Sequence, residues 1–316
     1  MLISVCIPCY NSSRTLPDVV AGIKEEFAKR PEDDYQLVLV NDGSPKDNTI
    51  GVIKDLCAGD PKITGVNLSR NYGQASAKLA ALPYAKGEVI VFMDDDGQHP
   101  AYGIFKLVDK LMEGYDVVYA DFKNKKHSFF KRMTSNLHNS LAEKMGSKPR
   151  GVKRSSFTAW SRMVVDAMMN YHSPFVSIGS YMMTIASKFA NVEIEHKERM
   201  VGKSGYTFRK LFAMWLNLFI SFSMLPLRMA TYLGFIFSGC GFIGIIYLLL
   251  WKLIRGTGVK GYTSTMIVML FMGGILMIML GIIGEYLGRI YMTISDKPQY
   301  NVREVIQGYD DNEKIS

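Results

Sequence analysis

The sequence predicts an α/β protein in which a doubly wound parallel sheet is followed by two transmembrane helices. Two observations lead to this prediction. Short strand-like runs alternate with helical stretches through the N-terminal part of the chain, and two long apolar runs lie closer to the C-terminus. Because parallel strands are joined by helical crossovers, the alternation indicates repeated β-α-β units. We therefore expect a sheet domain and a membrane part within the 316 residues.

The sheet domain is expected to span residues 1–205, with helices between most of its strands. The strands are expected at residues 3–8, 36–41, 64–68, 89–93 and 116–120. The helices are expected at residues 16–30, 48–58, 74–85 and 101–112. Ligands bind such sheets beyond the carboxyl ends of the strands, so the polar residues that follow the strands are the candidates for a site.

The two apolar runs, residues 229–251 and 263–283, contain no charged residue. Each reaches the roughly 20 residues that a helix needs to cross a bilayer, so we expect a transmembrane hairpin at 229–288 and a tail at 289–316. Six basic residues flank the outer ends of the hairpin and three lie in its loop, which favours cytoplasmic termini. The N-terminus leads straight into a strand without the basic segment of a signal peptide, as expected of a cytoplasmic domain.

Residues 206–228 carry apolar and aromatic side chains at helical spacing, with Arg209 and Lys210 opposite them. This spacing predicts an amphipathic helix in the membrane interface, and a helix that packs only against the sheet domain has the same pattern. The net charge of +8 suits anionic lipid and phosphorylated substrates. Nucleic acid is not an expected partner, because the basic residues are not interleaved with aromatic residues.

Three successive aspartates, Asp94, Asp95 and Asp96, close the fourth strand. Such carboxylates repel one another unless a positive charge lies among them, and a divalent cation supplies it. Alternate residues of an extended chain point the same way, so Asp94 and Asp96 can share a Mg²⁺ or Mn²⁺ ion to which Gln98 adds a neutral oxygen. The alternative is a capping cluster before the next helix, although a cap requires one aspartate rather than three.

Two further motifs are incomplete. Cys6 and Cys9 form an isolated CxxC pair at the end of the first strand, without the second pair or the histidines of a zinc site. Gly202 begins a GKS triplet that resembles the end of an ATP-binding P-loop, but the first glycine of that loop is missing. Phosphate is then expected to be held by the metal and by Arg199 and Lys203, which could otherwise be cations at the membrane surface.

Seven motifs in order resemble those of the polyprenyl-phosphate glycosyltransferases of family 2. They are IPCYN, VNDGS, SRNYGQ, DDDGQHP, ERMVGKSGY, PLRM and GEYLGRIY. The family contains dolichol-phosphate mannose synthase and the bacterial undecaprenyl-phosphate sugar transferases. The resemblance implies a nucleotide-sugar-binding sheet of the GT-A type and transfer of a sugar from a UDP-sugar to undecaprenyl phosphate. It also implies a multi-pass protein of the bacterial cytoplasmic membrane that makes a lipid-linked monosaccharide for the cell envelope.

The resemblance also implies roles for individual residues. The metal and the reacting diphosphate are assigned to Asp94, Asp96, Gln98, Arg199 and Lys203. The nucleotide is assigned to Pro8, Tyr10, Asn11 and Asp42, to which Arg70 and Asp95 are added from the loops after the third and fourth strands.

Two departures from the family pattern lie near the predicted site, and a further difference concerns a proposed catalytic base. Ser12 stands where many relatives have an acidic residue, and Thr158 replaces an arginine of the family's FRLLSR stretch. Some relatives have an aspartate just before that arginine, whereas this chain has Ser155 and Ser156. We therefore assign no protein base. A phosphate monoester has a second pKa of about 6 and is already a nucleophile at neutral pH, so in-line attack with inversion is expected.

Other functions remain open on the sequence alone. A processive polysaccharide synthase has a similar domain, but it requires more spans and a QxxRW motif that this chain lacks. A non-catalytic membrane scaffold or flippase partner has no need of three aspartates at a strand end. Gly281, Gly284 and Gly288 at the end of the second predicted span would permit close helix contact, so a homo-oligomer is expected. The transferred sugar is not identified.

Overall fold

The computed structural model describes residues 1–123, 151–171, 177–195, 261–294 and 298–307, together with scattered helical positions between 232 and 254. The chain divides into two compact units. One unit comprises Met1–Ser204 and Lys297–Ser316, and the other comprises Gly205–Asp296. The first unit carries the sheet and the second carries a long helix.

The described part of the first unit contains one eight-stranded sheet with the strand order β7-β5-β6-β4-β1-β2-β3-β8. The strands are β1 (Leu2–Cys9), β2 (Asp34–Asn41), β3 (Ile63–Leu68), β4 (Val89–Phe92), β5 (Val117–Lys123), β6 (Thr158–Ser161), β7 (Phe189–Glu195) and β8 (Val302–Gln307). The five predicted strands are confirmed as β1 to β5. Their near-continuous apolar sequences fit strands that are buried on both faces.

Helices cover both faces of this sheet. They are α1 (Leu16–Ala28), α2 (Thr49–Gly59), α3 (Gln74–Ala81), α4 (Gly103–Met112), α5 (Arg162–Met169) and α6 (Ile178–Ile185). Val5 and Ile7 of β1 belong to a core with α1, α2 and α4, whereas Cys6 belongs to a second core with α3, α5 and α6. This alternation along β1 is the two-residue period of a strand between two helical layers.

The four predicted helices are confirmed as α1 to α4, and α3 is shorter than predicted. Its α-helical part ends at Ala81 and is followed by a 3₁₀ turn, Leu82–Tyr84. Pro83 lies in this turn, where it has no N–H to donate and its ring clashes with the preceding helical turn. The expected helix at residues 74–85 is therefore divided in two.

The sheet is mixed, which corrects the prediction of a parallel sheet. Strand β6 lies between β4 and β5 and is antiparallel to both, and β8 is antiparallel to β3 at one edge. Neither strand was predicted. Strand β6 has only four residues, too few to give a clear alternation, and β8 follows the membrane part of the sequence.

The strand order reverses beside β1. The chain runs from β1 outward to β2 and β3, while β4 pairs with the other side of β1. In α/β sheets a crevice opens at such a reversal, outside the carboxyl ends of the strands. The candidate site is therefore expected where β1 and β4 end.

The C-terminal segment joins the sheet domain. Residues 289–316 were expected to form a tail, but the part at 298–307 reaches the outer side of β3. Ser69 donates its N–H to the Asn301 carbonyl at 2.9 Å, and Gln299 Nε2 donates to the Tyr171 carbonyl at 2.8 Å. A segment that follows the membrane part in sequence thus contributes to the fold of the sheet domain.

The long helix α7 (Tyr262–Ile294) contains 33 residues and is about 50 Å long at about 1.5 Å per residue. It includes the predicted span at 263–283. Within the described residues it is the one helix long and apolar enough to cross a membrane, and the candidate span is Met272–Met292. The predicted span at 229–251 is described only at scattered helical positions, and the predicted interfacial helix at 206–228 lies outside the described residues.

We expect the substitution Ile306→Asp to destabilise the sheet domain. The partly buried Ile306 side chain packs against the core beside Gly65, so a carboxylate there would lose part of its hydration. The free energy of unfolding should fall by roughly 1–3 kcal/mol, seen as a lower thermal midpoint in the circular dichroism of the full chain in detergent. Val305→Asp is the matched control, because the Val305 side chain is 38% exposed. An equal loss in both variants would contradict the docking of β8.

Candidate active site

The loops after β1 and β4 are tied together by Asp95. Its Oδ2 accepts the N–H of Tyr10 at 2.9 Å, and its backbone carbonyl accepts the Thr15 hydroxyl at 2.6 Å. Burial raises the pKa of the Asp95 carboxyl to about 6, the Tyr10 N–H opposes this shift, and the neighbouring Asp94 charge adds to it. Tyr10 itself projects outward, with 45% of its surface exposed. The structure thus brings two predicted nucleotide residues together, with Asp95 directed to the β1 loop.

The loops after β1 and β2 are joined through Asn11. Its N–H donates to Ser44 Oγ at 3.0 Å, and its side-chain oxygen accepts the Lys46 N–H at 3.1 Å. The backbone φ of Asn11 is +55°, in the left-handed region that few residues other than glycine adopt. Asparagine tolerates this conformation because its short polar side chain bonds locally. Pro8 lies in β1 opposite Val40 and shapes the start of the same loop.

The loops after β2 and β3 are joined by Asp42, which is 3% exposed. Its carboxylate accepts the N–H groups of Tyr72 at 2.7 Å and Gly73 at 2.9 Å. Burial raises its pKa, and the two backbone hydrogen bonds oppose the shift. The predicted reader of the base therefore also positions the β3–α3 loop. In that loop the Arg70 guanidinium lies 4.9 Å from the centre of the Tyr72 ring.

Asp94 is held on both sides of its carboxylate. Gln74 Nε2 of α3 donates to Oδ1 at 2.6 Å, and the Ser156 hydroxyl donates to Oδ2 at 2.6 Å. Each carboxylate oxygen keeps a further lone pair after accepting one hydrogen bond. The Asp94 carboxylate is thus oriented by neighbouring elements and still has coordination capacity.

His99 supports the backbone of the same residue. Its Nδ1 accepts the Asp94 N–H at 3.0 Å, and its Nε2 is 3.6 Å from Asp94 Oδ2. An accepting Nδ1 places the proton of the neutral ring on Nε2, towards that carboxylate. The ring is stacked against Phe157 and Phe122 at centroid distances of 4.8 and 5.4 Å. His99 therefore fixes the start of the acidic loop.

The donor set fits a hard divalent cation. Asp94 and Asp96 supply carboxylate oxygens of the kind that Mg²⁺ and Mn²⁺ prefer. Asp96 Oδ1 accepts the Gln98 N–H at 3.1 Å, which shapes the loop between them. The described part of the chain contains no group of three or more His, Cys, Asp or Glu residues that could hold a metal. Two carboxylates with an amide suit a cation whose remaining ligands come from substrate oxygens or water.

Several residues around this loop were not assigned a role from the sequence. They are Gln74, Lys78, His99 and Ser156. Lys78 is 8% exposed, and its Nζ donates to the Ser156 carbonyl at 2.9 Å. Burial lowers the pKa of Lys78 to about 8, and the Asp94 charge opposes the shift. The available signal was a lone charged residue among the small apolar residues of QASAKLAA.

The other residues singled out from the sequence either lie in strands of the sheet or fall outside the described residues. Arg199 and Lys203 lie outside the described residues. Thr158, which replaces a family arginine, donates its hydroxyl to the Val118 carbonyl at 2.8 Å within the sheet. Cys6 and Cys9 of the CxxC pair are buried, and burial raises the pKa of both thiols.

Both parts of the chain match known families. Residues 4–170 match Glycosyl transferase family 2, and residues 225–290 match the GtrB C-terminal hairpin. The uncharacterized glycosyltransferase YkcC of Bacillus subtilis (strain 168) is 33% identical over 95% of this chain and 93% of its own length. The undecaprenyl-phosphate 4-deoxy-4-formamido-L-arabinose transferase of Proteus mirabilis (strain HI4320) is 31% identical over 96% of this chain and 94% of its own length.

One solved structure with a similar fold is glucosyl-3-phosphoglycerate synthase from Mycobacterium tuberculosis, in complex with Mn²⁺, uridine diphosphate and phosphoglyceric acid. The TM-score is 0.51 at 19% sequence identity, and the match covers 69% of this chain and 76% of that chain. This likeness confirms the predicted GT-A type of α/β fold for the sheet domain.

We expect Gly43→Ala to disturb the loop after β2. Gly43 has a φ of +60°, and a Cβ there would overlap the backbone carbonyl carbon of Arg70. Strain and displacement of the β3–α3 loop should cost roughly 1–3 kcal/mol of stability, measured as the thermal midpoint of the full chain. Gly22→Ala in α1 is the control, because a Cβ there meets nothing within 4 Å. Equal midpoints for wild type and Gly43→Ala would refute this packing.

Proposed function

The chain belongs to glycosyl transferase family 2, and on this basis we propose that it transfers a sugar from a UDP-sugar to undecaprenyl phosphate. Family membership confirms the resemblance predicted from the motifs and makes the protein a glycosyltransferase. The proposed product is a lipid-linked monosaccharide for the cell envelope. The proposed location is the bacterial cytoplasmic membrane, with the sheet domain and both termini in the cytoplasm.

The observation that carries this proposal is the extent of the similarity to the Proteus mirabilis relative. It covers 96% of this chain, so it includes the acidic loop and α7. The separate match to the GtrB C-terminal hairpin at 225–290 supports a membrane anchor beside the sugar-transfer domain. A transferase that carries its own anchor is suited to an acceptor that stays in the lipid bilayer.

The acceptor's chemistry accounts for the serines near β6. An undecaprenyl phosphate monoester is already an oxyanion at neutral pH, so the transfer needs no protein base to deprotonate it. Ser156 stands near the position where some relatives have an aspartate, and its hydroxyl is engaged with Asp94. We therefore assign Ser156 to orienting a carboxylate. Attack by the phosphate oxygen forms the new bond to the anomeric carbon as the nucleoside diphosphate leaves from the opposite side, with inversion.

The nucleotide is proposed to bind at the edge formed by the loops after β1, β2 and β3. The half-exposed Tyr10 ring offers a face on which a base can stack, and Asn11 joins the loops after β1 and β2 on the same side of the sheet. Pro8 lies near the end of β1, Asp42 positions the loop after β3, and Arg70 adds a positive charge. This arrangement supports the assignment of these five residues, with Asp95, to the donor nucleotide.

The departing diphosphate is proposed to lie at the acidic loop. Asp94, Asp96 and Gln98 would hold a Mg²⁺ or Mn²⁺ ion, which when bound neutralises charge on the leaving group. Gln74, Ser156 and His99 keep Asp94 oriented before the donor arrives. Such preorganisation lowers the reorganisation required as charge develops. Arg199 and Lys203 are proposed to contact the diphosphate from the segment before the membrane part.

The function is tested with the full chain in membranes, supplied with undecaprenyl phosphate and a panel of labelled UDP-sugars, with GDP-mannose for comparison. We expect one UDP-sugar to label the lipid fraction only when the acceptor and Mg²⁺ or Mn²⁺ are present. The product's anomeric configuration, read by NMR, should be opposite to the donor's. No labelled lipid with any donor would contradict the activity. Full transfer in excess chelator would exclude a role for the metal in the reaction. Retention of the donor's anomeric configuration in the product would exclude in-line attack.

The substitution Asp96→Asn should lower transfer at least about a hundredfold, because it removes a carboxylate charge where the leaving group must be neutralised. The thermal midpoint should stay close to that of wild type. Asp109→Asn is the control, since Asp109 lies on the outer face of α4 with 58% of its side chain exposed. Initial rates of lipid labelling at saturating donor measure the effect. Wild-type rates in Asp96→Asn would exclude its carboxylate from the mechanism.

A further inference from the structure

Lys78 is a buried cation beside the proposed metal site. It lies in α3 with 8% of its surface exposed, and its ammonium is 5.1 Å from the centre of the Phe92 ring. Removing an ammonium from water is costly unless the protein supplies compensating interactions. Here one such interaction is the hydrogen bond to the Ser156 carbonyl at 2.9 Å. A methionine or leucine would fill this apolar position at lower cost, so the charge requires a reason.

The hydrogen bond from Lys78 to Ser156 explains why a cation occupies this position. The Ser156 carbonyl accepts from Lys78, and the hydroxyl of the same Ser156 donates to Asp94 Oδ2 at 2.6 Å. Fixing the backbone of Ser156 therefore fixes the donor of that hydrogen bond. The other carboxylate oxygen of Asp94 accepts directly from Gln74, one helical turn before Lys78. One face of α3 thus reaches both oxygens of Asp94, directly on one side and through Ser156 on the other.

The charge of Lys78 also offsets the acidic loop. Asp94, Asp95 and Asp96 are consecutive, and the Asp94 charge acts on the Lys78 ammonium. The positive charge of Lys78 therefore offsets part of the negative charge of the acidic loop. Because this charge lies within the protein rather than in the crevice, it leaves the outer lone pairs of Asp94 free to coordinate.

We infer that Lys78 is a positioning residue: through Ser156 it holds the Asp94 carboxylate in the orientation in which it binds the metal-bound donor diphosphate. The inference rests on the proposed function. Lys78 acts through Ser156 and the carboxylate, without contact with the substrate. Its removal therefore weakens the metal-dependent part of donor binding.

The inference is tested by isothermal titration calorimetry of UDP and of GDP with the full chain in detergent, with and without Mn²⁺. Lys78→Met should weaken Mn²⁺-dependent nucleotide binding at least about tenfold and leave metal-free binding unchanged. Lys78→Arg keeps a cationic donor and should bind more tightly than Lys78→Met. Lys106→Met is the matched control, because Lys106 also lies over a ring, at 5.2 Å from Tyr102, but on the exposed side of α4.

A double-mutant cycle separates positioning from general stability. Ser156→Ala removes only the hydroxyl and should weaken Mn²⁺-dependent binding as well. Because both residues act on the same Asp94 oxygen, Lys78→Met combined with Ser156→Ala should lose little more than the worse single variant. Additive losses, or equal losses with and without Mn²⁺, would overturn the inference by leaving Lys78 only a structural role.

The outcomes also distinguish this inference from the proposed function. If wild type shows no Mn²⁺-dependent binding of either nucleotide, the proposed function falls and the inference falls with it. If wild type binds and Lys78→Met binds equally well, the inference alone is overturned. If Lys78→Met does not fold, the inference is tested with Ser156→Ala instead. Unchanged Mn²⁺-dependent nucleotide affinity in Ser156→Ala would also overturn the inference.

Discussion

Buried or partly buried carboxylates hold the loops of the candidate site together, and the arrangement of the site depends on this constraint. Asp95 accepts from the loop after β1, Asp42 accepts from the loop after β3, and Asp94 accepts from α3 and Ser156. Hydrogen bonds to charged acceptors are stronger than neutral ones, and a buried carboxylate left without them is costly. Hydrogen-bond donors from one loop therefore satisfy the carboxylate of a neighbouring loop. These hydrogen bonds fix the loops relative to one another.

This constraint divides the acidic loop into two functions. The middle carboxylate, that of Asp95, turns to the β1 loop, and burial raises its pKa to about 6. Asp94 and Asp96 have other partners, although β4 ends at Phe92 and Asp95 and Asp96 lie in a turn rather than in the extended segment that was expected. Asp95 fixes the position of the loop. Asp94 and Asp96 are therefore the candidates to hold the cation that neutralises the substrate's diphosphate. The three consecutive aspartates are thus explained without placing all three on one ion.

The sequence was sufficient for elements with strong local patterns and insufficient for those defined by tertiary pairing. Strands β1 to β4 have apolar runs that end in polar residues, so both the strands and the edge that carries Asp42 and Asp94 were predictable. Strand β6 is four residues long, and β8 pairs with β3 from more than 200 positions away. Ser156 is 62 positions from Asp94, so no local pattern connects them. Arg199, Lys203 and the helix expected at 206–228 lie outside the described residues.

The site has many groups that orient a carboxylate and no group assigned as a base, and this imbalance follows from the acceptor we propose. A sugar hydroxyl must lose a proton as it attacks, so an enzyme that uses one needs a base near the anomeric carbon. A lipid phosphate is already ionised when it binds, so the main catalytic requirement is to stabilise the charge on the leaving diphosphate. That stabilisation depends on the residues that hold Asp94 and Asp96 in place. With the proposed phosphate acceptor, Ser156 near the family's aspartate is no defect, because its hydroxyl donates to Asp94, the carboxylate that we propose for the leaving-group side of the reaction.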